Sequence, residues 1–116
     1  MLKLPSKVYI SSSVVDMRKS IDGLAAIVER DFNLDPYSDS LFIWCNKACD
    51  KLKLLYWDTN GFCLIYKRLE RGKFDFKRNS ESSTYSISKS DLTWLLTGLD
   101  HGQIEQYHEF KRRKIV

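Results

Sequence analysis

Several features that would assign a location or a chemistry are missing from this chain. No apolar run approaches the ~20 residues that a membrane-crossing helix needs. The opening residues, MLKLPSKVYISSS, have neither the long apolar core nor the cleavage pattern of a secretory signal, so residence in the cytoplasm is the expectation. Cysteine is scarce and odd in number: Cys45, Cys49 and Cys63. Without an export signal these read as free, buried thiols rather than a disulfide framework. The three-residue gap between Cys45 and Cys49 departs from the two-residue gap of a zinc knuckle, and such a site would have to borrow Cys63 or a distant histidine. His-Glu-x-x-His, a P-loop and closely spaced catalytic carboxylates are all absent. Asp16, Asp22, Asp58 and Asp91 invite a metal-dependent nuclease. Yet Asp22 and Asp91 suit the first turns of helices, and Asp58 suits a hairpin loop. His101 and His108 have no partner that sequence identifies. No catalytic residue, metal, cofactor or small-molecule substrate is therefore expected.

What is present is a 116-residue chain with 43% hydrophobic and 29% charged residues, enough for one modest core and too apolar for global disorder. No repeat or linker divides it. The expectation is one domain over residues 1–100, followed by a polar, basic C-terminal tail over 101–116.

The stretch from Asp50 to Phe76, DKLKLLYWDTNGFCLIYKRLERGKFDF, reads as two consecutive β-hairpins. Lys51–Trp57 and Phe62–Leu69 flank Asn60-Gly61, a pair that accepts the positive φ angles of a tight turn. A two-residue turn there sets Trp57 opposite Leu64 and Lys51 opposite Glu70. A second turn at Arg71-Gly72 sends the chain back through Lys73 to Phe76. Upstream, Lys7–Ser11 reads as a strand after Pro5, and the apolar run Ser40–Cys45 reads as a buried strand. Tyr85–Ile87 reads as a short closing strand.

Ile21, Leu24, Ala25, Val28 and Phe32 recur at helical spacing, with Ser20 as N-cap and Asp22 in the first turn. Gly23 either weakens this helix or lets it approach the sheet closely. Ser88 and Asp91 form a capping-box pattern that opens a second helix on Leu92, Leu95, Leu96 and Leu99, with Gly98 placed to end it. Ile104, Tyr107 and Lys111 permit a further short helix. The fold class that follows is α+β: a mostly antiparallel sheet built on consecutive hairpins, with helices packed on one face.

Charge is distributed unevenly. The net charge is +4, yet residues 67–78 alone carry +4 and residues 111–114 another +4, leaving −4 for the remainder. A mildly acidic body with two basic segments suits a polyanionic partner. Basic residues also protect sheet edges from pairing, which accounts for two or three of the six cations in 67–78. The rest, with Tyr56, Trp57 and Tyr66 nearby, offer phosphate neutralisation and rings for stacking on bases. The Lys111–Lys114 run suits sequence-independent phosphate contact.

Asp16-Met-Arg-Lys19, then Asp22-Gly-Leu-Ala-Ala26, Leu41-Phe42 and the stretch Leu54–Phe74 together resemble the small accessory proteins of the insertion-sequence-66 transposon family. The resemblance runs from residue 5 to about 99. Ser20 and Ile21 stand where that family often has glycine and phenylalanine, and the lysine-rich tail is individual to this chain. The resemblance implies a non-catalytic role beside a separate transposase that cuts and joins strands. The partners it implies are DNA at the transposon ends and the element-encoded transposase. Candidate DNA-contacting residues are Arg18, Lys19, Lys67, Arg68, Arg71, Lys73, Lys77, Arg78, Arg112 and Arg113. The competing reading is an adaptor that docks on the transposase through partly exposed Trp44, Trp57 or Trp94 without touching DNA.

Overall fold

The computed structural model describes residues 4–78 and 81–97. The chain order is β1 (Lys7–Ser11), α1 (Ile21–Arg30), β2 (Ser40–Cys45), β3 (Lys51–Asp58), β4 (Gly61–Arg68), β5 (Thr84–Ile87) and α2 (Lys89–Thr97). The strands form one sheet in the order β4-β3-β2-β1-β5. Three of the four pairings are antiparallel, and β1–β2 is parallel. The α+β class and the mostly antiparallel sheet are those anticipated from the sequence.

The helices depart from expectation by lying on opposite faces. Every residue of β2 is buried, so both of its sides need cover. Phe42 and Trp44 point to one side and pack with Leu24, Val28 and Phe32 from α1 and its end. Leu41, Ile43 and Cys45 point to the other, where Leu92 and Leu95 of α2 and the ring of Phe74 cover them. The parallel β1–β2 pair requires a long crossover, and α1 supplies it.

Ser20 takes the extended conformation of an N-cap but makes no side-chain cap bond. Gly23 does not mediate close helix–sheet packing, because a Cβ there would meet only the Lys19 side chain, at 3.7 Å. The capping box of α2 forms as anticipated: Asp91 N–H donates to Ser88 Oγ at 3.0 Å, and Ser88 N–H donates to Asp91 Oδ2 at 3.5 Å. Gly98, Leu99 and the further helix considered at Ile104, Tyr107 and Lys111 lie outside the described residues.

The β3–β4 hairpin forms, but its loop is Thr59-Asn60, not Asn60-Gly61. Asp58 pairs with Gly61, Trp57 with Phe62, and Lys51 with Arg68. Thr59 takes the positive φ, 50°. The register is displaced by two residues, which leaves every side chain on its anticipated face. The second hairpin does not form. Residues 69–78 instead run as an irregular segment along the β2–β3 loop, held by Leu69 N–H to Asp50 O (2.8 Å) and Phe74 N–H to Cys49 O (2.7 Å).

Candidate nucleic-acid interface

The strand register brings distant segments to one end of the sheet. Ser11, Cys45, Lys51, Arg68 and Thr84 end or begin their strands at that end. The loops that meet there are 12–19, 46–50, 69–78 and 81–83. Arg18, Lys19, Lys67, Arg68, Arg71, Lys73, Lys77 and Arg78 therefore share one end, although about 50 residues separate the first pair from the rest. Lys47, Lys51 and Lys53 join them. The opposite end gathers Asp35, Asp39 and Asp58, at a distance of roughly 24 Å along an eight-residue strand.

The Asp16–Lys19 turn is closed by its own aspartate. The Asp16 carboxylate accepts from Arg18 N–H (2.8 Å), Arg18 Nε (3.0 Å) and Arg18 Nη2 (2.7 Å). Arg18's hydrogen bonds pull the Asp16 carboxyl down to about 2, and the same pair raises Arg18 further. The Arg18 side chain is nevertheless 91% exposed. This turn is held to the sheet by Lys53, a buried lysine whose Nζ donates to Lys19 O at 2.7 Å and sits 5.8 Å from the Tyr66 ring centre. Sequence reading passed over Lys53, since its position in a strand carries no sign of the loop it meets.

Asn46 shapes the neighbouring loop. Its Oδ1 accepts from Asp50 N–H (3.1 Å) and Lys51 N–H (3.0 Å), while its Nδ2 donates to Asp50 Oδ1 (2.7 Å). The Asn46 bond is the main reason the Asp50 carboxyl lies below its ordinary value. The loop presents Lys47 to solvent at its tip.

Apart from buried Lys53 and half-buried Lys51, which pairs with Asp50 at 3.3 Å, the cations of this end fall into three groups. Lys19, Lys47, Arg71, Lys73 and Lys77 are exposed and take part in no ion pair among the described residues. Arg18 and Arg68 are exposed but paired, Arg68 with Glu70 at 2.8 Å. Lys67 and Arg78 are committed to the fold. Lys67 Nζ donates to Leu96 O, and Arg78 Nη2 donates to Asn46 O at 3.1 Å while its guanidinium lies 5.0 Å from the Phe76 ring centre. Arg112, Arg113, His101 and His108 lie outside the described residues.

Of the rings anticipated beside this charge, only Tyr66 stays there, 48% exposed. Tyr56 belongs to the core. Trp57 sits at the far end of β3, in a cluster with Tyr37 and Phe62 at 5.0–5.2 Å. Trp44 is fully buried and offers no docking surface, whereas Trp94 is half-buried.

The three cysteines are free. Burial, with Cys49 beside it, pushes the Cys45 thiol up to about 12, which keeps it protonated and a poor ligand or nucleophile. Among the described residues no group of three His, Cys, Asp or Glu side chains could hold a metal ion. No helix there is long and apolar enough to cross a membrane.

The family model for IS66 Orf2 like protein matches residues 6–106. The chain is similar to the uncharacterized protein y4jC of Sinorhizobium fredii (strain NBRC 101917 / NGR234), at 32% identity over 100 residues, 86% of this chain and 85% of that protein. It is also similar to y4hO of the same strain, at 34% identity over 94 residues and 81% of each chain. No solved structure matches. With the matched segment spanning both helices and all five strands, the chain belongs to the IS66 Orf2-like family, whose role is accessory to transposition.

Proposed function

We propose that this protein is a non-catalytic accessory factor in transposition that grips DNA phosphates with the basic end of its sheet. The observation that carries this reading is the convergence of loops 12–19, 46–50 and 69–78, with five exposed cations that form no ion pair among the described residues. Lysine and arginine at this density neutralise phosphates and release counterions, a contact that carries affinity without sequence readout. Tyr66, exposed beside Lys53, offers one ring to an unpaired base. The test compares binding to transposon-end duplex, unrelated duplex and single-stranded DNA at several salt concentrations. Binding that weakens steeply with salt supports the reading; no binding at low salt sinks it.

A second reading, an adaptor docking on the transposase, draws on the Tyr37–Trp57–Phe62 cluster beside Asp35 at the other end. Tyr37 is 55% exposed there. Co-purification of the transposase from nuclease-treated extract, abolished by Tyr37→Ala, would favour it. The two surfaces lie at opposite ends of the sheet, so the two readings separate by mutation.

A further inference from the structure

β4 is the outermost strand on its side of the sheet and is eight residues long. Its inner side pairs with β3 along its whole length, and among the described residues no backbone bond reaches its outer side. Open edges of this length are ordinarily interrupted by a bulge, a proline or a central charge. None of these is present. Lys67 and Arg68 sit at one end, and Gly61 to Tyr66 is uncharged and in unbroken register. Ile65 and Tyr66, 38% and 48% exposed, point to opposite faces, so both flanks of the edge carry apolar surface. The outer strand on the other side, β5, has only four residues.

We propose that β4 pairs antiparallel with β4 of a second copy, extending the sheet across a two-fold axis normal to it. Such an axis keeps each residue opposite a same-face partner. Centred on Ile65, it sets Ile65 against the second copy's Ile65, Leu64 against Tyr66, Cys63 against Lys67 and Phe62 against Arg68. The uncharged stretch meets itself, no like charges oppose, and each Arg68 gains a ring beside it. Parallel self-pairing would set Lys67 and Arg68 beside their own copies. The complementarity of this strand to its own reverse is what selects a second copy as occupant over an unrelated strand. The two basic ends would then lie at opposite ends of the joined strands, one DNA grip on each. That consequence rests on the proposed function; the pairing does not.

The test is the mass of the full chain by sedimentation equilibrium without DNA, so its outcome is independent of DNA binding. The expected mass is twice the chain's 13.6 kDa, and Ile65→Lys, which opposes two lysines across the axis at an already exposed position, should return it to 13.6 kDa. Directly opposed antiparallel residues bring Cα atoms to about 4.5–5.5 Å, within disulfide range. Ile65→Cys under oxidised glutathione should therefore give a covalent dimer, whereas the unaltered chain, with Cys63 facing Lys67, should not. A chain of single mass at high micromolar concentration would overturn the proposal. A dimer that survives Ile65→Lys, or that Ile65→Cys does not link, would overturn it equally.

Discussion

Phe74 is the peg that holds the basic segment to the body, and Phe74→Ala shows how much depends on it. The ring is 3% exposed, packed with the cluster that includes Cys45, Leu52, Leu92 and Leu95. Its backbone N–H donates to Cys49 O at 2.7 Å. Removing a buried phenylalanine ring costs about 3–5 kcal/mol when the surroundings cannot collapse. Phe74 lies in an irregular segment rather than a strand, so 69–78 can detach locally and cap the loss. The expected loss is therefore about 2–3 kcal/mol in urea denaturation followed by tryptophan fluorescence, a large share of a typical stability of about 5–15 kcal/mol. Hydrogen exchange adds a local readout. The Phe74 amide should lose protection while the β2 and β3 amides keep theirs, and DNA binding should weaken because Arg71, Lys73 and Lys77 lose their fixed positions. Stability within about 0.5 kcal/mol of the unaltered chain, with the Phe74 amide still protected, would refute the anchoring role, since such values belong to surface substitutions.

Three further outcomes are expected. The Asp16 carboxyl should titrate at about 2 by NMR and move up toward 3.8 in Arg18→Ala. Because its folded value is depressed, its contribution is present above its unfolded value of 3.8 and is lost as pH falls toward about 2; a midpoint already at 3.8 in the unaltered chain contradicts the closed turn. Ser88→Ala removes the acceptor for Asp91 N–H and should cost about 1 kcal/mol in urea denaturation, with no change refuting the cap. Thr59→Asn should stabilise by up to about 1 kcal/mol, because asparagine tolerates the positive φ that a β-branched residue resists; destabilisation would argue against that conformation.

The local features were legible because their causes are local. The leucine spacing of α2 and its Ser88–Asp91 box lie within a few residues, and the apolar run of β2 announced a buried strand. The hairpin register was not legible. Asn60-Gly61 is the stronger turn pair, but the loop that forms sits one residue earlier, with Thr59 in the left-handed region. The alternation of Phe74 and Phe76 imitates a strand, whereas Phe74 plugs the core and Phe76 carries the Arg78 guanidinium. The helices lie on opposite faces, not on one, because a strand apolar on both sides needs cover on both. The basic residues were recognisable individually. Their meeting depends on the parallel crossover through α1, and so does the role of Lys53, which is tied to a loop 34 residues away; the role of Lys67 depends on α2 packing over the other face.

The central claim is that the basic end contacts phosphates, and the salt dependence of duplex binding tests it most directly. Log affinity against log salt falls by about 0.9 for each phosphate neutralised on duplex DNA. Replacing Arg71, Lys73 and Lys77 with alanine removes three exposed cations whose side chains make no hydrogen bond or ion pair among the described residues. The slope should become shallower by about 2 to 3, with weaker binding at every salt concentration. An unchanged slope and affinity in a folded variant would contradict the account and leave the acidic, aromatic end as the working surface.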